Sequence, residues 1–174
     1  MRRGQWVEHK LIYLTGFMGS GKTTVGSKLG ERWSMEVIDT DQWIEHKERK
    51  SIAEIFAGES EAYFRDLETE ALKTIKEDSL IITTGGGIVE REENRKLMKL
   101  QGKIVYLYCG IEEIIRRLEG DTSRPLIQHQ DEEKITALYR SRMALYEEAD
   151  VIIDTTRKSV EEIVEEITLW RKKG

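Results

Sequence analysis

Residues 16–23 read Gly16-Phe17-Met18-Gly19-Ser20-Gly21-Lys22-Thr23, a complete G-x-x-x-x-G-K-[ST] phosphate-binding loop. An apolar run, Leu11-Ile12-Tyr13-Leu14, precedes it, and a helix-compatible stretch at 22–33 follows. A strand that feeds a glycine-rich turn into a helix leaves few folds open. The glycines let backbone N–H groups turn inward around a polyphosphate, and the helix directs its positive end at the same anion. Gly19, Ser20, Gly21, Lys22, Thr23 and Thr24 are therefore the candidate nucleotide-binding residues. Lys22 is expected to reach the β- and γ-phosphates, and the Thr23 hydroxyl to hold Mg²⁺. A glycine-rich turn that merely joins strand to helix is the competing reading. The complete motif in this context favours a nucleoside triphosphate.

Downstream, short apolar runs alternate with longer amphipathic ones, the pattern of an α/β domain with a parallel sheet. Strands are expected at 10–15, 36–38, 80–84, 104–109 and 151–154. Helices are expected at 22–33, about 41–49, 51–57, 60–77, 90–101, 111–119, 131–148 and 158–172. In the last of these, Val160, Ile163, Val164, Ile167 and Trp170 share one face, which predicts packing onto the sheet. No repeat, linker or low-complexity tract divides the chain, so its 174 residues are read as one domain with a sizeable core. Residues 120–130 form a polar loop around the only proline and are expected to be mobile.

Formal net charge is 28 − 33 = −5, which argues against nucleic acid or an anionic membrane as partner. A small anionic substrate would then need a local basic cluster. Cys109 is the only cysteine and closes the apolar run at 104–109, so a buried, inert thiol is expected. His9, His46 and His129 are scattered without metal-ligand spacing. No apolar stretch reaches membrane-spanning length. The basic start lacks an apolar signal core, because Glu8, His9 and Lys10 interrupt it, and a cytoplasmic location is expected.

Other residues can carry chemistry. Asp39 and Asp41 follow the second strand at the edge that should bear the phosphate loop. One aspartate suffices to cap the next helix. A second leaves Asp39 as a candidate to hold Mg²⁺ through water and Asp41 as a candidate to bind an acceptor hydroxyl and take its proton. Gly85-Gly86-Gly87 ends the third strand and permits close backbone approach, either for a tight turn or for a ligand at the carboxyl edge of the sheet. Arg65, Arg124 and Arg142 are candidate anion-binding residues, although a single arginine in so charged a chain is most often a solvated one.

In this order the chain resembles the shikimate kinase family. The resemblance rests on the loop from Gly16 to Thr24, Asp39-Thr40-Asp41, Ile52-Ala53-Glu54-Ile55-Phe56, Gly58-Glu59, Phe64-Arg65 with Glu68, Gly85-Gly86-Gly87, Arg124-Pro125-Leu126, and Arg142 before Leu145-Tyr146. It implies a three-layer, nucleoside-monophosphate-kinase-like sandwich around a five-stranded parallel sheet. A helical substrate-binding region would span about 39–70 and a lid about 120–131. The implied reaction transfers the γ-phosphoryl group of ATP, with Mg²⁺, to the 3-hydroxyl of shikimate, on the route to chorismate and the aromatic amino acids. Asp41 would bind the hydroxyls as base, and Arg65, Arg142 and the Gly86 N–H would hold the carboxylate. Arg124 would cover the phosphates, Arg117 would lie against the adenine, and the protein would be a monomer. The pattern departs from the family at Ala144, where a proline is usual, and at 155–159, which lacks a proline beside the base. A gluconate or nucleoside-monophosphate kinase, or a non-catalytic nucleotide-binding relative, are the alternatives.

Overall fold

Every residue of β1 (Leu11–Thr15) is buried, as a strand covered on both faces requires. In the computed structural model, which describes residues 11–77, 79–119 and 132–173, β1 is the centre of a five-stranded sheet. The other strands are β2 (Glu36–Asp39), β3 (Leu80–Thr83), β4 (Gly102–Tyr108) and β5 (Val151–Asp154), in the order β2-β3-β1-β4-β5. All four pairings are parallel, with Leu11 opposite both Leu80 and Gly102.

The period-two alternation of the strands sorts their side chains into two cores. Ile12, Leu14, Ile81, Val105 and Leu107 pack with Val25 and Leu29 of α1 (Lys22–Trp33) and with Ile163, Val164 and Ile167 of α8 (Val160–Lys173). Leu11, Tyr13, Ile82, Ile104 and Tyr106 face the opposite way. They meet α2 (Thr40–Glu48), α3 (Ile52–Gly58), α4 (Glu61–Thr74), α5 (Glu92–Gln101), α6 (Ile111–Glu119) and α7 (Glu132–Tyr146). The expected three-layer α/β sandwich with a five-stranded parallel sheet is the architecture of the described residues.

Element boundaries differ from expectation by a few residues at most, and three of the differences have a local reason. The helix expected at 60–77 ends at Thr74, because Ile75 turns to an extended backbone (ψ 100°) and places its side chain in the core. β4 begins at Gly102 rather than 104, since Gly102 and Lys103 pair with β1 but carry no apolar signature. The helix expected from 90 starts at Glu92, behind a 3-10 turn at Ile88–Glu90. The expected lid, with Arg124 and His129, lies outside the described residues, as does His9. No described helix is long and apolar enough to cross a membrane.

Candidate active site

The turns after β1, β2 and β3 leave the same carboxyl edge of the sheet, where ligands of open α/β folds bind. The first is the phosphate loop. Gly16, Gly19 and Gly21 have φ of 150°, 78° and 94°, conformations that glycine adopts without strain. Lys22 opens α1 and folds back over the loop, its Nζ donating to the carbonyls of Gly16 at 2.8 Å and Phe17 at 2.9 Å. The buried Ser20 hydroxyl has no hydrogen-bond partner among the described residues.

Arg117 reaches the same loop from α6. Its Nη1 donates to the Gly19 carbonyl at 3.0 Å and its Nε to Glu113 at 2.9 Å. Hydrogen bonds from Arg116 and Arg117 hold the Glu113 carboxyl down to about 2. Arg116 rather than Arg117 lines the adjoining cleft of about 570 Å³, together with Tyr108, Gly110, Thr156 and Arg157. One step along a helix turns a side chain by about 100°, and this separates the two arginines. Arg117 therefore braces the loop beside this cleft.

Asp39 is the N-cap of α2. Its Oδ1 accepts from the backbone N–H groups of Asp41 at 3.0 Å and Gln42 at 3.1 Å, and its Oδ2 accepts from the Thr83 hydroxyl at 2.7 Å. The capping alternative is thus real, but it does not displace the other. Asp39 and Thr23 line one cleft of about 230 Å³ with Thr83 and Gln42. A carboxylate and a hydroxyl are hard oxygen donors, which suit Mg²⁺ in company with water and phosphate oxygens. Among the described residues no cluster of three or more His, Cys, Asp or Glu forms a protein-only metal site. His46 lies in the last turn of α2. Cys109 is 1% exposed and burial pushes its thiol up, so the inert reading holds.

The third turn holds Gly85-Gly86-Gly87. Gly85 N–H donates to Thr40 Oγ1 at 3.1 Å, and the Tyr146 hydroxyl donates to the Gly86 carbonyl at 2.5 Å. Burial raises the pKa of Tyr146, which keeps the phenol a donor, and its ring stacks on Tyr106 at 4.9 Å between centroids. A Cβ at Gly86 would lie 3.6 Å from Arg142 Nη1 and 3.6 Å from Gly16 O and Met18 N of the phosphate loop. At Gly87 a Cβ would sit only 2.2 Å from Arg65 Nη1, so any side chain there would expel the guanidinium.

Two nearly buried arginines converge on this turn, their side chains 12% (Arg65) and 9% (Arg142) exposed. Arg65 Nη1 donates to Glu68 Oε2 at 2.7 Å and Nη2 to Glu61 Oε1 at 3.1 Å, while Nε lies 3.5 Å from Glu90 Oε2. Burial works against the charge on Arg65, but Glu68 and Glu90 outweigh it and raise its pKa. Arg142, on α7, donates through Nε at 2.7 Å and sets Nη2 2.5 Å from the same oxygen, Glu90 Oε1. Asp41, in the first turn of α2, faces Glu68 across Gly85: a Cβ there would be 2.7 Å from Asp41 Oδ1 and 3.1 Å from Glu68 Oε1.

The structure therefore brings Asp41, Arg65, Gly86 and Arg142 to one end of the phosphate loop, with Lys22, Thr23 and Asp39 beside them. Around them, Glu68 and Tyr146 belong to the motifs of the resemblance but had no chemical role assigned, and Glu90 was not singled out at all. Arg65 and Glu68 stand three apart on one helix, a pairing that spacing alone can reveal. The bridges made by Glu90 and Tyr146 join segments distant in the chain and leave no local signal.

Glu68 is 0% exposed, and burial pushes its carboxyl up to about 7 against the opposing pull of Arg65, with Asp41 and Glu90 adding to the rise. The native state then keeps a proton that the unfolded chain releases above the ordinary value of 4.5. Stability from this group is complete below that value and is lost as pH rises through about 7, by an amount on the order of 3 kcal/mol. Urea unfolding from pH 5 to 8 should show a steeper decline in the parent than in Glu68→Gln. Parallel curves would show that Glu68 does not titrate in this range.

The family model described as shikimate kinase matches residues 18–171. A shikimate kinase of Bacillus cereus is 52% identical over 158 residues, which cover 91% of this chain and 96% of that protein. One from Bacillus anthracis is 54% identical over the same shares. Among solved structures, shikimate kinase from Acinetobacter baumannii in complex with shikimate matches with a TM-score of 0.87 at 36% identity, covering 94% of this chain and 93% of that one. The Aquifex aeolicus shikimate kinase gives 0.80 at 37% identity, covering 94% and 96%.

Proposed function

The chain belongs to the shikimate kinase family, and from that premise we propose how its residues carry phosphoryl transfer from ATP to shikimate. The triphosphate lies in the loop of Gly19, Ser20, Gly21, Lys22, Thr23 and Thr24. Lys22 swings from the Gly16 and Phe17 carbonyls to the β- and γ-phosphates. Thr23 and Asp39 would hold Mg²⁺, which when bound would neutralise charge on the phosphates. By the resemblance, Arg124, which lies outside the described residues, would cover the phosphates, and Arg117 would serve the nucleotide side.

On the facing side Arg65 and Arg142 take the carboxylate of shikimate, joined by the N–H of Gly86. A planar guanidinium matches a carboxylate better than an ammonium does. Asp41 orients the 3-hydroxyl and accepts its proton as the oxygen forms its bond to the γ-phosphorus. The bond from that phosphorus to the bridging β-oxygen breaks, and ADP leaves with the electron pair. Positioning and charge neutralisation account for most of such a reaction.

The observation that carries this assignment is the place of Gly86, against which both the phosphate loop and Arg142 lie. ADP release is expected with ATP, Mg²⁺ and shikimate, and not when gluconate or a nucleoside monophosphate replaces shikimate. Equal ADP release with gluconate would overturn the acceptor assignment. A monomer working in the cytoplasm, at one with ATP supply, completes the reading.

Arg65→Ala is expected to raise the KM for shikimate about 100-fold, the loss of a charge-assisted pair in a nearly buried site. The KM for ATP should stay within about threefold of the parent, because the partners of Arg65 are Glu61, Glu68 and Glu90 rather than atoms of the loop. A shikimate KM unchanged in this variant would remove Arg65 from the site.

A further inference from the structure

We infer that Glu90 is a positioning residue that sets the two carboxylate-binding arginines against the Gly86 N–H. This deepens the proposed function and rests on its assignment of Arg65 and Arg142. Among the described residues, Glu90 is the carboxylate that reaches both: Oε1 binds Arg142, and Oε2 lies 3.5 Å from Arg65 Nε. Two cations that are 12% and 9% exposed repel each other with little help from solvent screening. A carboxylate between them offsets that repulsion and restricts two long, rotamer-rich side chains.

The edges that Glu90 takes leave one side of Arg142 toward the turn. Glu90 takes the Nε and Nη2 side of Arg142 and the Nε side of Arg65, while Arg142 Nη1 is the atom directed at Gly86. Glu90 is itself anchored to the same turn, since its N–H donates to the Gly87 carbonyl at 3.0 Å and that of Ile88 to Gly85 at 3.2 Å. Neighbouring Ile88 and Val89 are buried, and Asn94 Nδ2 donates to the Ile88 carbonyl at 3.0 Å. One short segment thus carries the Gly86 amide and the carboxylate that aligns both guanidiniums.

The test is steady-state kinetics of Glu90→Ala and Glu90→Gln beside Arg65→Ala, with thermal unfolding of each. Glu90→Ala should raise the shikimate KM roughly 10-fold, with the loss on that KM rather than on kcat or the ATP KM. Glu90→Gln keeps the shape without the charge, and should raise it by an intermediate factor of about 3. Should the alanine variant fail to fold, the glutamine variant decides alone. A shikimate KM equal to or below the parent's overturns the inference, and a lower one would mark Glu90 as a competitor for the arginines. If Arg65→Ala leaves the shikimate KM unmoved as well, the failure belongs to the proposed function. If Arg65→Ala raises it and neither Glu90 variant does, only the brace is refuted.

Discussion

Lys22→Met is expected to lower kcat about 1,000-fold, the scale on which single preorganised charge stabilisers act in such transfers. In the structure the Lys22 ammonium rests on the carbonyls of Gly16 and Phe17, at the mouth of the loop it would serve. Those bonds keep the side chain folded over the cradle, so moving to a phosphate oxygen asks for a short displacement only. Methionine preserves length and apolar stem while removing the charge. Charge spreads over the γ-phosphoryl oxygens as the bond to ADP loosens, and Lys22 is the one cation of the loop motif itself. The check is ADP release at saturating ATP and shikimate, with thermal unfolding to establish that the variant is folded. Activity within tenfold of the parent would contradict the role.

Asp41→Asn is expected to cost about 100- to 10,000-fold in kcat, the range that a positioned general base supplies. Asparagine has almost the same shape and keeps an oxygen that can orient a hydroxyl, but it cannot take the proton. The expected loss therefore falls on kcat, with the shikimate KM changing by only a few-fold. Asp41 stands in the first turn of α2, held there by the Asp39 cap, and shares the space around Gly85 with Glu68. If Asp41→Asn retained a tenth or more of the parent kcat, its part would be limited to orientation.

The phosphate loop was fully legible because its chemistry demands particular residues at fixed spacing, and the structure folds them as a strand, turn and helix. Apolar runs announced all five strands, most plainly the central β1 and β3, which need buried side chains on both faces, whereas the edge strands β2 and β5 are only partly buried. What escaped was whatever the chain does without an apolar signature. Gly102 and Lys103 extend β4 on backbone pairing alone, and Ile75 leaves its helix because the core needs its side chain.

At the site, Asp39 shows how one residue can satisfy two readings, capping α2 while lining a cleft with Thr23. Arg65 and Arg142 were legible as candidates, but their shared carboxylate was not. Only the folded chain brings Glu90 between them. Tyr146 was visible as part of a motif, whereas its hold on the Gly86 carbonyl depends on how α7 packs against the turn.

The most direct measurement is a crystal structure of the protein with ADP and shikimate. The account predicts the shikimate carboxylate about 3 Å from the guanidiniums of Arg65 and Arg142, with a ring hydroxyl at like distance from Asp41 on the side of the phosphate loop. Shikimate bound with its carboxylate on other cations, or with its hydroxyls away from Asp41, would contradict it.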